Sequence, residues 1–199
     1  MANAGALGSG GDRRRRSIVT GLGRRAFLTI LALVGSGRSN LAQRRHRLRY
    51  LPLTRAVLVP LVSMPIPGRV RRFIAQGVAP ESAADPGKVV RIRGMVTRVS
   101  EGDDAAERFK AVCRVCPHEQ CEVDYVADPE NLDSLVIEEI GRVEAPVYIC
   151  PCHNSTFTTA DGARLSGPAP RGLYQFRVTN VTDTHVEIGE VEEDVLLFF

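Results

Sequence analysis

Two short segments, CPHEQC at Cys116 to Cys121 and CPCHNS at Cys150 to Ser155, hold four of the five cysteines and two of the four histidines of this chain. Each box is mixed, pairing one cysteine and one histidine with a second cysteine to spare. Soft thiolates select zinc, copper or iron-sulfur clusters, whereas imidazole suits zinc, copper and iron. Structural zinc boxes keep Cys-x2-4-Cys apart from His-x3-5-His, and neither box here follows that layout. The fold must carry both boxes to one place.

The segments around the boxes read as β-structure. From Lys88 onward the chain runs through KVVRIRGMVTRV, RFKAVCRV, SLVIEEI, PVYIC, LYQFRVTNV and THVEIGEV, separated by turn-rich EGDD, ADGA and SGPAPRG. Period-two patterning over many short runs, with no convincing helical period, predicts an all-β antiparallel sandwich or barrel-like domain. The boxes fall on loops between its strands, where a rigid sheet commonly holds functional residues.

Two thiolates on one iron and two imidazoles on the other is the ligand set of a Rieske [2Fe-2S] centre. The pattern Cys-x-His-x-x-Cys followed by Cys-x-Cys-His-x-Ser resembles the Rieske iron-sulfur proteins of quinol-oxidising cytochrome bc complexes, over about Lys88 to Val191. The resemblance implies one [2Fe-2S] cluster, with Cys116 and Cys150 on one iron and His118 and His153 on the other. It also implies a disulfide between Cys121 and Cys152, which Rieske ferredoxins and ring-hydroxylating oxygenases lack. Gly167, Pro168, Ala169 and Pro170 resemble the proline loop that covers the cluster, in a cluster-binding loop subdomain of the sandwich. Ser155 and Phe157 stand where high-potential members place hydroxyls that tune the cluster, and a tyrosine is usual at the second position. Without that second hydroxyl, a lowered potential is expected, matched to a low-potential quinol such as menaquinol.

Three positions depart from the family pattern. Glycine is usual where this chain has Gln120 and Asn154; asparagine tolerates the left-handed backbone that glycine would supply, and glutamine does so less readily. Glu119 stands beside a ligand histidine at a position that the family usually keeps apolar, and it is expected to help tune the cluster.

The resemblance implies a subunit that passes electrons from quinol to a c-type cytochrome beside a cytochrome b-type partner, rather than a catalyst acting alone. A ligand imidazole, His118 or His153, would take a proton or hydrogen bond from quinol. A small Rieske subunit serving a molybdopterin subunit, similar to that of arsenite oxidase, is a second reading, and a non-redox zinc module a third.

Charge divides the chain. Residues 1–73 hold fifteen arginines against Asp12, a net +14, and residues 74–199 hold eleven Lys/Arg against twenty-two Asp/Glu, a net −11. A basic arm on an acidic domain fits the membrane surface, and the absence of nucleic-acid motifs argues against nucleic acid. The segment GRRAFLTILALVGSG, 23–37, resembles a twin-arginine export motif at Arg24 and Arg25. Residues 1–45 are therefore expected to be a signal or anchor, 46–87 a second apolar stretch and linker, and 88–199 the Rieske domain. Export and the disulfide both point to the outer face of the bacterial cytoplasmic membrane, with the domain anchored there and swinging on a linker near 74–87.

Cys113 is expected to be a buried thiol in its strand, and His46 and His185 ordinary residues. The terminal VLLFF is either a last strand or a contact with a partner or membrane.

Overall fold

The computed structural model describes residues 48–198. Two antiparallel sheets make up the architecture. The larger has six strands in the order β1-β10-β9-β4-β3-β2, and the smaller has four in the order β5-β6-β7-β8. In chain order they are β1 (Tyr50–Pro60), β2 (Val70–Val78), β3 (Val89–Arg98), β4 (Phe109–Cys113), β5 (Asp124–Val126), β6 (Val147–Ile149), β7 (Thr156–Thr158), β8 (Arg164–Ser166), β9 (Gln175–Val181) and β10 (His185–Glu192). Two short helices join them, α1 (Ser134–Ile140) and α2 (Glu193–Phe198).

The edges of the large sheet come together. Thr54 Oγ1 on β1 donates to the carbonyl of Gln76 on β2 at 3.1 Å, so the sheet curls toward a barrel around one apolar core. Val90, Ile92 and Val96 of β3, Ala111 and Cys113 of β4, and Val186, Ile188 and Val191 of β10 meet inside it. The opposite face of β3 and β4 carries Met95 and Val112, which pack with Tyr148 of β6 and Phe157 of β7 in a second core beneath the small sheet. Thr97 and Tyr148 hydroxyls share a buried hydrogen bond of 2.5 Å across that junction. The junction fixes the small sheet, and with it the boxes, on the large one.

The expected all-β class is what the chain adopts, with two corrections from the structure. Residues 46–87 do not divide into an apolar stretch and linker: 50–60 form β1, paired with β10, and 70–78 form β2, paired residue by residue with β3. Both belong to the same compact unit as the remaining strands. The prolines of β1 are tolerated because β1 ends the strand order and its pairing with β10 breaks between Pro52 and Val57. Its core-facing Leu53 and Val59, and Leu61 in the 3-10 turn just after it, lie among exposed apolar residues such as Leu58 and Val62. The inward residues of β2 run from large to small: Phe73 packs edge-on against Phe176, Ala75 is buried, and at Gly77 α2 lies so close that a Cβ would come within 2.7 Å of Leu196 Cδ2. The exposed Ile74 and Val78 put apolar residues on the other face as well, which blurs the period-two signal. The turn after β2 is hydrogen-bonded, Ala79 N to Lys88 O at 2.8 Å and Gly87 N to Ala79 O at 2.9 Å, so 74–87 is not a hinge.

The second correction is SLVIEEI, read as a strand and folded as α1. Asp133 caps it, accepting from Leu135 N at 2.8 Å, and Gly141 ends it at φ 74°. Val136, Ile137 and Ile140 then share the face that packs on Val147. Residues 195–198 of the terminal VLLFF fall on α2, where Val195 and Leu196 enter the barrel core and Leu197 stays exposed. Among the described residues no helix is long and apolar enough to cross a membrane. The twin-arginine segment, residues 1–45 and His46 lie outside the described residues.

Candidate metal centre

Both boxes are tight loops of one design. The first follows β4, closed below by the Val115–Glu122 bridge, and the second joins β6 to β7. In the first, Cys116 N donates to Cys121 O at 2.9 Å and Gln120 N to Cys116 O at 3.1 Å. In the second, Cys150 N donates to Ser155 O at 2.8 Å and Asn154 N to Cys150 O at 2.9 Å. The bonding is the same in register, so the residue four after the opening cysteine must turn left-handed in each: Gln120 has φ 60° and Asn154 φ 56°. This is the conformation that glycine adopts most readily.

The loops are fastened to each other by a disulfide between Cys121 and Cys152, with Cα atoms 6.5 Å apart. Cys121, Cys150 and Cys152 cluster in space, but the disulfide removes two of these sulfurs as thiolate donors. Cys116 and Cys150 remain as free thiols, both buried. Burial pushes the Cys116 thiol up; the backbone N–H of His118 pulls it down, the neighbouring Cys150 raises it, and the Ser155 hydroxyl lowers it. Toward solvent lie the two imidazoles, His118 and His153, ring centroids 4.9 Å apart at 79°. Their side chains are 29% and 45% exposed.

Glu119 lies against both rings. Its carboxylate lies 3.9 Å from His118 Nε2 and 3.7 Å from His153 Nδ1, with the side chain 60% exposed.

The Gly167–Pro170 loop closes the third side. Ala169 N donates to Ser155 Oγ at 3.0 Å, and both residues are buried. Gly167 has φ 82°, and a Cβ there would lie 2.5 Å from Ser155 Cα, so this loop meets the second box backbone to backbone. Phe157 is fully buried in the same core as Cys116 and Cys150, opposite Tyr148 in the β6–β7 register.

Several residues that hold this arrangement carried no sequence signal. Arg114, buried at the base of the first box, donates from Nε to Val123 O at 3.4 Å and meets Glu122 at 2.9 Å. Glu139 of α1 accepts from Gly167 N at 3.1 Å, and Arg164 donates to Gly167 O at 2.7 Å. Each acts through backbone groups or across long sequence separations, which no local pattern records. Cys113 lies in the barrel core, where burial pushes its thiol up to about 12. It stays protonated at neutral pH and away from the paired thiols. His185 is engaged locally, with Nδ1 2.8 Å from Thr184 Oγ1.

The family model described as "Rieske [2Fe-2S] domain" matches residues 76–177. The Rieske iron-sulfur subunit of the cytochrome bc1 complex of Streptomyces lividans is 47% identical over 49 residues, 24% of this chain and 29% of that protein. Its counterpart from Streptomyces coelicolor is also 47% identical over 49 residues, 24% of this chain and 14% of that protein. The aligned stretch thus spans less than a third of either relative. The plasma membrane Rieske protein PetC3 of Synechocystis PCC 6803, a solved crystal structure, is 22% identical, covers 57% of this chain and 84% of its own, and has a TM-score of 0.30.

The donor set fits the family's cluster. Two unlinked thiols face inward and two imidazoles face outward on loops locked together by a disulfide, which suits an iron pair with unlike ligands.

Proposed function

This chain belongs to the Rieske [2Fe-2S] domain family, and we propose on that premise that it is the iron-sulfur electron-transfer subunit of a membrane quinol to cytochrome c oxidoreductase. The observation that carries the proposal is the convergence of two buried free thiols with two rim imidazoles on matched loops. In this reading Cys116 and Cys150 hold one iron, and His118 and His153 the other. A bound [2Fe-2S] cluster supplies a one-electron acceptor. The thiol side is shut from water by Phe157, Ala169 and the disulfide, so electrons enter and leave at the imidazole edge. His153, the more exposed ring, would hold iron through one nitrogen and could offer the other to a quinol hydroxyl as hydrogen-bond acceptor and proton acceptor. Ser155 stabilises negative charge beside Cys116 and at the same time holds the Gly167–Pro170 cover in place.

The quinol and cytochrome c assignment draws on the Streptomyces relatives named as cytochrome bc1 complex subunits. Export through the segment 23–37 and anchoring at the outer face of the cytoplasmic membrane complete the proposal; the charge division of the chain and the disulfide support them.

The test has two parts. Purified holoprotein should contain two irons and two acid-labile sulfides per chain, with the low average g-value of mixed Cys/His ligation in the reduced state. His118→Cys or His153→Cys should abolish or transform that signal. Stoichiometric zinc without labile sulfide would refute the site. For the partners, the full chain isolated from its own membranes should bring b-type and c-type haem with it; molybdopterin in their place would assign the chain to a molybdenum oxidase.

A further inference from the structure

Across the three loops that close on the site, 116–121, 150–155 and 167–170, Glu119 is the one acidic or basic side chain besides the two histidines. Gln120, Pro151, Asn154 and Pro168 are exposed on the same loops and carry no charge. Nearby charged groups are otherwise engaged: Arg93 and Arg114 by Glu122, Arg164 by the Gly167 carbonyl, and Glu139 by the Gly167 N–H. Among the described residues no lysine or arginine pairs with Glu119, whose contacts are the two imidazoles. The edge at which electrons cross therefore carries one fixed anion, placed within 4 Å of both rings.

A charge at the point of closest approach acts on every encounter. It strengthens contact with a cation and weakens contact with an anion, and desolvation on docking amplifies both effects. We propose that Glu119 selects the redox partner of this chain by charge, favouring a protein whose contact surface presents a cationic side chain to the His118/His153 edge. This inference rests on the reading of that edge as the exit of a redox centre. It concerns who docks there, not whether the centre assembles.

Two small oxidants of opposite charge probe the edge directly. Reduced holoprotein is mixed with tris(phenanthroline)cobalt(III), a trivalent cation, or with ferricyanide, a trivalent anion. One electron leaves the protein in each reaction, giving cobalt(II) or ferrocyanide. Against wild type at low salt, Glu119→Gln should slow the cobalt reaction and speed the ferricyanide reaction, each by about three- to tenfold, and the differences should shrink at high salt. Glu119→Lys should enlarge both effects, and Glu119→Asp should restore wild-type rates. Midpoint potential and the reduced-state EPR spectrum are recorded for every variant. A shift in potential alone changes both rates in the same direction, so rates moving together, or not at all, would overturn the proposal. An absent Rieske signature in wild type would instead overturn the reading of the site, and this inference with it.

Discussion

Gln120 and Asn154 occupy equivalent left-handed positions, each four residues after the cysteine that opens its loop, at φ 60° and 56°. Left-handed backbone costs an L-residue about 1–2 kcal/mol, less for asparagine, while glycine loses about 0.4–1 kcal/mol through the unfolded chain. Gln120→Gly should therefore raise stability by about 0.5 kcal/mol, and Asn154→Ala should lower it by about 1 kcal/mol. Denaturant unfolding of the three proteins decides it. Destabilisation by Gln120→Gly would show that the contacts of the glutamine side chain outweigh the turn strain.

The Cys121–Cys152 bridge spans 31 residues of sequence. Closing a loop of that length is worth about 3–4 kcal/mol in the chain-entropy account. A Cys121→Ala/Cys152→Ala protein should lose stability of that order, and its two loops should separate, broadening the reduced-state EPR spectrum. An unchanged spectrum with an unchanged unfolding midpoint would show that the sheets alone hold the loops.

Phe157 is buried in the core that contains Cys116, and Ser155 lies against that thiol. Hydroxyl donors stabilise the more negative, reduced centre. A hydrogen bond to a charged group is worth about 1.5–3 kcal/mol, and about 1.4 kcal/mol corresponds to about 59 mV for one electron. Both redox states keep part of the bond, so Phe157→Tyr should raise the midpoint potential by several tens of millivolts. Ser155→Ala should lower it and, by leaving the buried Ala169 N–H without its acceptor, cost about 1–3 kcal/mol of stability. Protein-film voltammetry measures the first effect and thermal unfolding the second. A Phe157→Tyr midpoint equal to wild type would mean that the ring at 157 does not aim its edge at the centre.

Alkaline pH should destabilise the fold. Burial pushes both Cys113 and Tyr148 up to about 12, whereas in the unfolded chain they titrate near about 8.5 and 10. Between those values and about 12 the unfolded state has lost protons that the folded state keeps, so stability is intact below pH 8 and falls as pH rises through this window. Each group contributes a slope of about 1.4 kcal/mol per pH unit. Denaturation midpoints from pH 8 to 11 should fall, and less steeply in Cys113→Ala. In native wild type, Cys113 should resist iodoacetamide until the protein unfolds.

Arg24→Lys with Arg25→Lys should leave the chain on the cytoplasmic side of the membrane, because twin-arginine export carries folded, cofactor-loaded proteins. Protease accessibility of spheroplasts reads the outcome. Undiminished export of the double variant would assign another route.

What the sequence settles by itself is local chemistry. Thiol and imidazole at fixed spacing name the donors, so the boxes and the family were legible before any coordinates. Period-two patterning and β-branched runs between turns marked β3, β4, β6, β9 and β10. The strands it missed are those whose signal depends on neighbours. Glycine serves at position 77 of β2 only because Leu196 fills the space above it, and the prolines of β1 are admissible only because that strand ends the order of the sheet. In SLVIEEI the apolar composition suits either structure, and the Asp133 cap with the Val147 contact selects the helix. The left-handed turn at Gln120 follows from loop hydrogen bonds, and the position of Glu119 against both rings follows from bringing 118 and 153 together. Such features arise from contacts across long sequence separations, whose energies depend on distances that only the folded chain sets.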